Sequence, residues 1–234
     1  MNYAGFCNPL LYWLIGYRQD ALGWSGELRT SDPWPTETLL QSWRDHLAAI
    51  PWQIALQQFN LLDSHDAHRI RTILNGNESL HRLAAILQFT FPGVPCIYYG
   101  DEIGLVDDEG FGSRNCMPWD KERWNKPLFD FYRSLIAFRK GSDVLKNGNF
   151  QILHWEKDFF IYQRNLNNDH ILISANRSFT PRASSTIRIG QGGFDDNVQY
   201  TSLFGEEKLS ISQGYLVLSD LPQGGAIWFA KDVV

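Results

Sequence analysis

The sequence predicts an α/β chain in two parts, βα units over residues 1–141 and an antiparallel β domain over 142–234. Three observations predict it. Apolar residues recur at helical spacing in three long runs before Gly141. Two short apolar runs lie between those helices, each leading into a polar, Gly-containing or charged loop. After Gly141 the periodicity changes to short alternating runs broken by turn residues.

The first helix is "TETLLQSWRDHLAAI", which sets Leu39, Leu40, Trp43 and Leu47 on one face, with Thr36 and Glu37 suited to its first turn. A candidate buried strand follows, "QQFNLL" from Gln57 to Leu62. "NESLHRLAAILQFTF" repeats the helical pattern through Leu80, Leu83, Leu87 and Phe91, opened by Asn77 and stopped by Pro92 and Gly93. The second candidate strand is "VPCIYY", Val94 to Tyr99. "KPLFDFYRSLIAFRKG" supplies the third helix through Leu128, Phe131, Leu135 and Phe138, and Arg139, Lys140 and Gly141 suit its C-terminus. Helix, strand, loop, helix, strand, loop, helix is the grammar of βα units, which place function in the loops after their strands. A closed eight-unit barrel takes about 250 residues; 141 residues with two convincing strands make only part of one. In the second part, Glu156 to Asp158 and Asn167 to Asp169 read as turns between strands, and "GYLVLSDL" and "GAIWFA" continue the pattern to the end.

Composition excludes several function classes. The chain has 234 residues, 44% hydrophobic and 20% charged, the balance of a soluble globular protein. Its net charge is −5 and no block of Lys or Arg stands out, so neither nucleic acid nor an anionic membrane is an expected partner. Cys7, Cys96 and Cys116 are far apart, without a CxxC pair, which suggests no disulfide framework or zinc knuckle and fits a reducing compartment. No apolar run reaches the roughly 18 residues of a membrane span, and Met1 to Gly16 has no basic segment before its apolar part, so no targeting segment is expected. Aromatic residues make up 14%, and core packing is the expected use of most of them, with sugar stacking open to the rest.

The densest chemistry is in "LLDSHDAHRI", Leu61 to Ile70, where Asp63, His65, Asp66, His68 and Arg69 crowd together. Three readings compete. Asp and His could cap a helix and face water. They could bind a metal, although no second cluster completes a ligand set at familiar spacing. Or a carboxylate could stabilise an oxocarbenium-like transition state while an imidazole holds sugar hydroxyls.

Downstream come "FPGVPCIYYGDEIG", Phe91 to Gly104, and "GSRNCMPWD", Gly112 to Asp120. With "MNYAGF" at Met1 to Phe6 and "FNLLDSHDAHR" at Phe59 to Arg69, these resemble successive motifs of the α-amylase family of glycoside hydrolases, most of all its neopullulanase, cyclomaltodextrinase and maltodextrin glucosidase branch. The resemblance covers Met1 to about Arg139 and extends through the β domain. It implies the C-terminal part of a (β/α)8 TIM barrel, about strands 6–8, followed by an antiparallel β-sandwich. "MNY" would close the sixth strand, and the two predicted strands would be the seventh and eighth. His65 would hydrogen-bond the sugar at the cleaved bond, Asp66 would stabilise the transition state, and Arg114 would contact the adjacent glucose unit. No metal or organic cofactor is implied.

The resemblance further implies an α-glucan oligosaccharide as substrate, a cytoplasmic location, and a parent that includes the missing N-terminal half of the barrel and is compatible with a homodimer. The nucleophile and general acid of retaining hydrolysis sit about 5–5.5 Å apart, and the family carries them on the fourth and fifth strands, which would precede Met1. The chain alone is therefore expected to be inactive. A non-catalytic glucan-binding or complementing subunit is the alternative. The family's Asp four residues before the arginine is Gly110 here. Asp107, Asp108 or Glu109 could substitute for it, but this acidic loop is expected to be solvated. Glu102 of "GDE" is expected to be structural.

Overall fold

The computed structural model describes residues 1–17, 31–109, 112–196, 198–206 and 208–230. A π-helical turn, Tyr3–Cys7, leads into α1, Asn8–Ile15, whose Leu10, Leu11, Trp13 and Leu14 are buried. This helix is apolar nearly all round, so it lacks the one-sided stripe that marks a helix in sequence. Gly16 closes it at φ 68°, where a Cβ would meet the Ser31 carbonyl oxygen at 1.9 Å.

The three predicted helices form. α2, Thr36–Ala48, buries Leu39, Leu40 and Trp43. A short α3, Trp52–Ala55, precedes strand β1, Phe59–Asn60, and a short α4, Ile70–Ile73, follows the loop. α5, Glu78–Thr90, is capped by Asn77, whose side-chain oxygen accepts from the Leu80 amide at 3.0 Å. β2 is Val94–Pro95, and α6, Lys126–Gly141, is capped by Asn125 through the Leu128 amide at 3.1 Å.

The two strands are shorter than the six residues expected of each. They pair in parallel, Phe59 with Val94 and Asn60 with Pro95. Pro95 has no amide to extend the ladder. Beyond it the Cys96 amide donates to Asn60 O at 2.7 Å, and the Gln88 side chain donates to the carbonyls of Asn60 and Cys96, at 3.1 and 3.0 Å. On the other edge of β1 the Asn2 amide donates to Phe59 O at 2.7 Å and its side chain to Asn60 Oδ1 at 3.0 Å. Met1–Asn2 therefore lies beside β1 without strand geometry of its own.

The second part begins with a helix, not a strand: α7, Asp143–Asn147, capped by Ser142. Among the described residues eight strands follow: β3 Asn149–Trp155, β4 Phe159–Leu166, β5 Asp169–Asn176, β6 Ser185–Arg188, β7 Gln199–Ser202, β8 Lys208–Ser212, β9 Tyr215–Leu218 and β10 Gly224–Ala230. They are linked in the order β3-β4-β5-β10-β7-β8-β9-β6, each pair antiparallel. The sheet folds on itself around one apolar cluster, with Phe159, Ile161, Leu172 and Trp228 from one half and Ile187, Leu209, Ile211 and Leu216 from the other. That is a sandwich core made by one continuous sheet.

The opposite face of β4 and β5 belongs to the other core. Phe160, Tyr162, Ile171 and Ile173 pack with Trp43, Leu83, Phe91 and Leu135 of the helical part. Six consecutive residues of β4 are consequently buried, which removes the alternation expected there. Two buried arginines brace this region, one within the helical part and one across the junction. Arg139 Nη1 donates to Phe89 O at 2.7 Å and its other nitrogen to Gly93 O, so it holds the end of α5 instead of merely complementing its own helix dipole. Arg164 donates to the carbonyls of Thr90 (2.8 Å), Gly148 (2.8 Å) and Asn149 (2.9 Å).

Candidate functional site

The loops after β1 and β2 meet at one edge of the helical part. Leu61 and Leu62 are buried behind β1 and anchor the first loop, while the side chains of His65 and Asp66 stand 57% and 60% exposed. His65 Nε2 lies 3.2 Å from Asp66 Oδ2. From the second loop, Arg114 donates through Nε to His65 O at 2.9 Å and through Nη2 to Asp66 Oδ1 at 3.1 Å. The three residues singled out from the sequence are thus brought together from positions 48 and 49 residues apart.

The turn that presents Asp66 is itself held. Tyr3 Oη donates to Ser64 Oγ at 2.7 Å, and that oxygen accepts the Asp66 amide at 3.0 Å. Burial raises the Tyr3 pKa, so the phenol stays a donor. Asp66 is left with a histidine and an arginine on one side and open solvent on the other. A carboxylate so placed can accept sugar hydroxyls and stabilise positive charge developing beside it.

Half of the crowded motif turns inward. Asp63 and Arg69 are 1% and 0% exposed. Asp63 Oδ2 accepts the Ile70 amide at 2.6 Å, which caps α4, so the helix-capping reading holds for this residue. Its carboxyl group also hydrogen-bonds that of Asp101, equally buried. Arg69 lies between the rings of Tyr98 and Tyr99, 4.8 and 4.9 Å from their centroids. It donates to Tyr99 O at 2.8 Å and Asn115 Oδ1 at 3.1 Å, and sits 3.5 Å from Asp101 Oδ1. Desolvation pushes the Asp63 carboxyl up to about 6, against the lowering effect of its hydrogen bond with Asp101, and pushes that of Asp101 well above the usual range, where Asp63 adds to its cost of ionising.

The acidic loop is not simply solvated. The Asp107 side chain is 13% exposed, approaches His68 Nδ1 at 2.5 Å and accepts the Arg69 amide at 2.9 Å. Its own amide donates to Thr72 Oγ1 at 2.7 Å. The expectation of solvation fails for Asp107 because the loop crosses the start of α4, where an acidic acceptor satisfies an open amide. Gly110 lies outside the described residues. Glu102 Oε2 accepts the Gly100 amide at 2.8 Å, the structural use expected of it. His68 stacks edge-on to Tyr17, at 6.5 Å, in a packing role.

Sequence reasoning missed Asp63, Arg69 and Asp101 as a buried unit, and it missed a G-x-R-x-D run at Gly16 to Asp20, the spacing in which the resembled family carries its nucleophile. Gly16 closes α1 where the family spacing requires a strand end, and Arg18 to Asp20 lie outside the described residues. Among the described residues no group of three His, Cys, Asp or Glu could hold a metal ion, and no helix is long and apolar enough to cross a membrane. Trp13, Trp43 and Trp228 are core, whereas Trp119 is 79% exposed on the loop that carries Arg114.

Comparison with known proteins converges on one family. Residues 26–125 match the pattern described as "Alpha amylase, catalytic domain". A cyclomaltodextrinase from a Bacillus species is 40% identical over 148 residues, 62% of this chain and 26% of that protein. Neopullulanase 2 from Thermoactinomyces vulgaris is 34% identical over 181 residues, 76% of this chain and 30% of that protein. Among solved structures, the debranching enzyme of Nostoc punctiforme superposes with a TM-score of 0.79 at 26% identity, over 98% of this chain and 47% of that one. A cyclomaltodextrinase structure gives 0.77 at 29% identity, over 98% and 36%. The chain spans about a quarter of the length of the curated relatives it matches.

Proposed function

This chain carries part of an α-amylase-family catalytic domain, and from that premise we propose that it forms the His-Asp side of the sugar cleft in a retaining hydrolase of α-1,4-glucosidic bonds. Maltodextrins or cyclodextrins are the substrates, as the names of its relatives suggest. Met1–Asn2, β1 and β2 stand for the ends of barrel strands six, seven and eight, and β3 to β10 for the C-terminal sandwich. A cytoplasmic location and a homodimer of the parent complete the reading.

One observation carries it: His65, Asp66 and Arg114 converge from two loops that follow two adjacent parallel strands. In a barrel that is the catalytic end. Asp66 receives hydroxyls of the distorted sugar and favours its oxocarbenium-like transition state, His65 donates to the same ring, and Arg114 orients Asp66 and reaches the neighbouring glucose. The covalent step belongs elsewhere. Asp63, Asp101, Glu102 and Asp107 are each bound to a neighbour. The nucleophile and general acid would come from the remainder of the barrel, so the chain by itself binds α-glucan weakly and does not turn it over.

The test is hydrolysis of maltotriose and a nitrophenyl maltoside by the purified 234-residue chain, and by the same chain joined to the first barrel strands of a relative. Activity only in the joined protein, lost in Asp66→Asn, supports the reading. Hydrolysis by the chain alone that Asp20→Asn abolishes would move the nucleophile to Asp20 and overturn it. Calorimetry with maltoheptaose separates the non-catalytic alternative, which requires millimolar or tighter binding by the chain alone.

A further inference from the structure

We propose that Asp63 and Asp101 hold one proton between them, and that this acid pair with Arg69 is the positioning unit joining the loop of His65 and Asp66 to the loop of Arg114. Geometry and charge carry the inference. The two carboxyl groups hydrogen-bond each other, yet neither side chain has a hydrogen to donate when both are ionised. Asp63 Oδ1 and Asp101 Oδ1 have no hydrogen-bond donor, and both residues are shut off from water. A proton between them completes the bond.

Charge counting leads to the same state. Arg69 is the cation felt by both acids, and it is fully buried with them. One carboxylate plus one carboxylic acid balances one guanidinium, whereas two carboxylates would leave a buried negative charge. Around the pair Asp107 and Glu102 add negative charge, and Cys7 and Tyr132, both buried, stay protonated. Like charges sharing one site cannot both ionise at ordinary pH.

The unit spans the two loops at their roots. Asp63 lies next to Ser64, which fixes the Asp66 amide. Asp101 opens the 3-10 turn Asp101–Ile103 after β2. Arg69 reaches Asn115, the neighbour of Arg114. Removing the proton would drive Asp63 and Asp101 apart and with them the loops that bring Arg114 to Asp66. The inference rests on the functional reading only in treating those residues as the sugar-facing groups, and its test needs no sugar.

The experiment is a carboxyl-carbon NMR titration of the 234-residue chain labelled at aspartate and arginine, with the Arg114 Nε–H signal, whose nitrogen donates to His65 O, followed in the same samples. One protonated carboxyl assigned to the pair at pH 7, lost in a single step above that pH together with a shift in the Arg114 signal, is the expected result. In Asp101→Asn, an amide hydrogen replaces the proton, and the step and the Arg114 shift that goes with it both disappear. Asp63→Asn gives the same outcome by the reverse donation. Two ionised carboxyls at pH 7 in the wild-type chain overturn the shared proton, even if neither variant folds. A proton step that leaves the Arg114 signal unmoved overturns the positioning role.

Discussion

Arg114 Nη2 donates to Asp66 Oδ1 at 3.1 Å across two loops, with both side chains more than half exposed. An ion pair so exposed contributes little to stability, about 0–1 kcal/mol. It can still fix the direction in which the carboxylate points, because Arg114 also donates to the His65 carbonyl and so grips both residues at once. Arg114→Ala is therefore expected to leave the thermal midpoint within a few degrees of the parent while lowering kcat/KM of the joined, active protein by tenfold or more. Arg114→Lys, which cannot make both contacts, should recover little. Midpoint and kinetics measured on the same preparations check this; a large loss of stability with unchanged kinetics would contradict it.

The thiols differ by burial. Cys7 is fully buried, its sulfur 3.3 Å from Leu62 O, and desolvation pushes its pKa far up, which keeps it a thiol. Cys116 is exposed beside the site and Cys96 is intermediate. A thiol-reactive dye should label Cys116 first in the native chain and reach Cys7 only in denaturant, with the fast phase absent from Cys116→Ser. Mass spectrometry of the labelled peptides decides it, and early modification of Cys7 would show that the cluster around Phe6 and Leu10 opens in the native state.

Much of this architecture is legible in the sequence because it is local. Asn77 caps the helix it was expected to open, and Leu39, Trp43, Leu83 and Leu135 are buried as their spacing requires. His65, Asp66 and Arg114 could be picked out, and they meet. What could not be read depends on distant partners. Asp63 and Arg69 look as polar as His65 and Asp66, but they are buried because Asp101, Tyr98 and Tyr99, about thirty residues on, close over them. Arg139 resembles a helix-terminal cation; its partners Phe89 and Gly93 are some fifty residues earlier. β4 loses its alternation because two different cores claim its two faces, and nothing within eight residues can signal that.

Arg164 tests the junction between the two parts. It is fully buried and satisfies three carbonyl oxygens, one at the end of α5 and two at the entry to β3. Tyr162 and Arg139 are the nearby titratable groups, and burial with the Arg139 charge draws the Arg164 pKa down to about 9 without discharging it at neutral pH. Arg164→Met keeps the apolar stem but strands those carbonyls, each costing roughly 1–3 kcal/mol. A loss of at least ~3 kcal/mol in urea unfolding is expected. Arg164→Lys should cost nearly as much, since an ammonium cannot span three acceptors held in a fork. A loss under about 1 kcal/mol for either variant would mean that the apolar contacts alone hold the junction.

His81 gives the acid limb of stability. It is fully buried, its Nε2 is 3.1 Å from the Tyr132 hydroxyl, and Nδ1 has no hydrogen-bond partner. Burial, reinforced by Arg71 and Arg82 and only partly opposed by Glu78, draws its pKa down to about 3. The sign follows from proton binding. Below pH 6.5 the unfolded chain takes up a proton at this ring that the folded chain refuses, so stability is present above that pH and falls as pH drops toward 3. Between pH 7 and pH 5 the loss from this one group is about 2 kcal/mol. Because Asp63 and Asp101 act in the opposite direction over the same range, the slope of the wild type alone cannot isolate it. The difference between wild type and His81→Gln can, since glutamine still bonds the Tyr132 hydroxyl but does not titrate. The variant should lose ground to the wild type at pH 7 and regain about 2 kcal/mol of that gap by pH 5. Parallel urea curves for the two proteins at both pH values would show instead that His81 binds its proton in the folded chain.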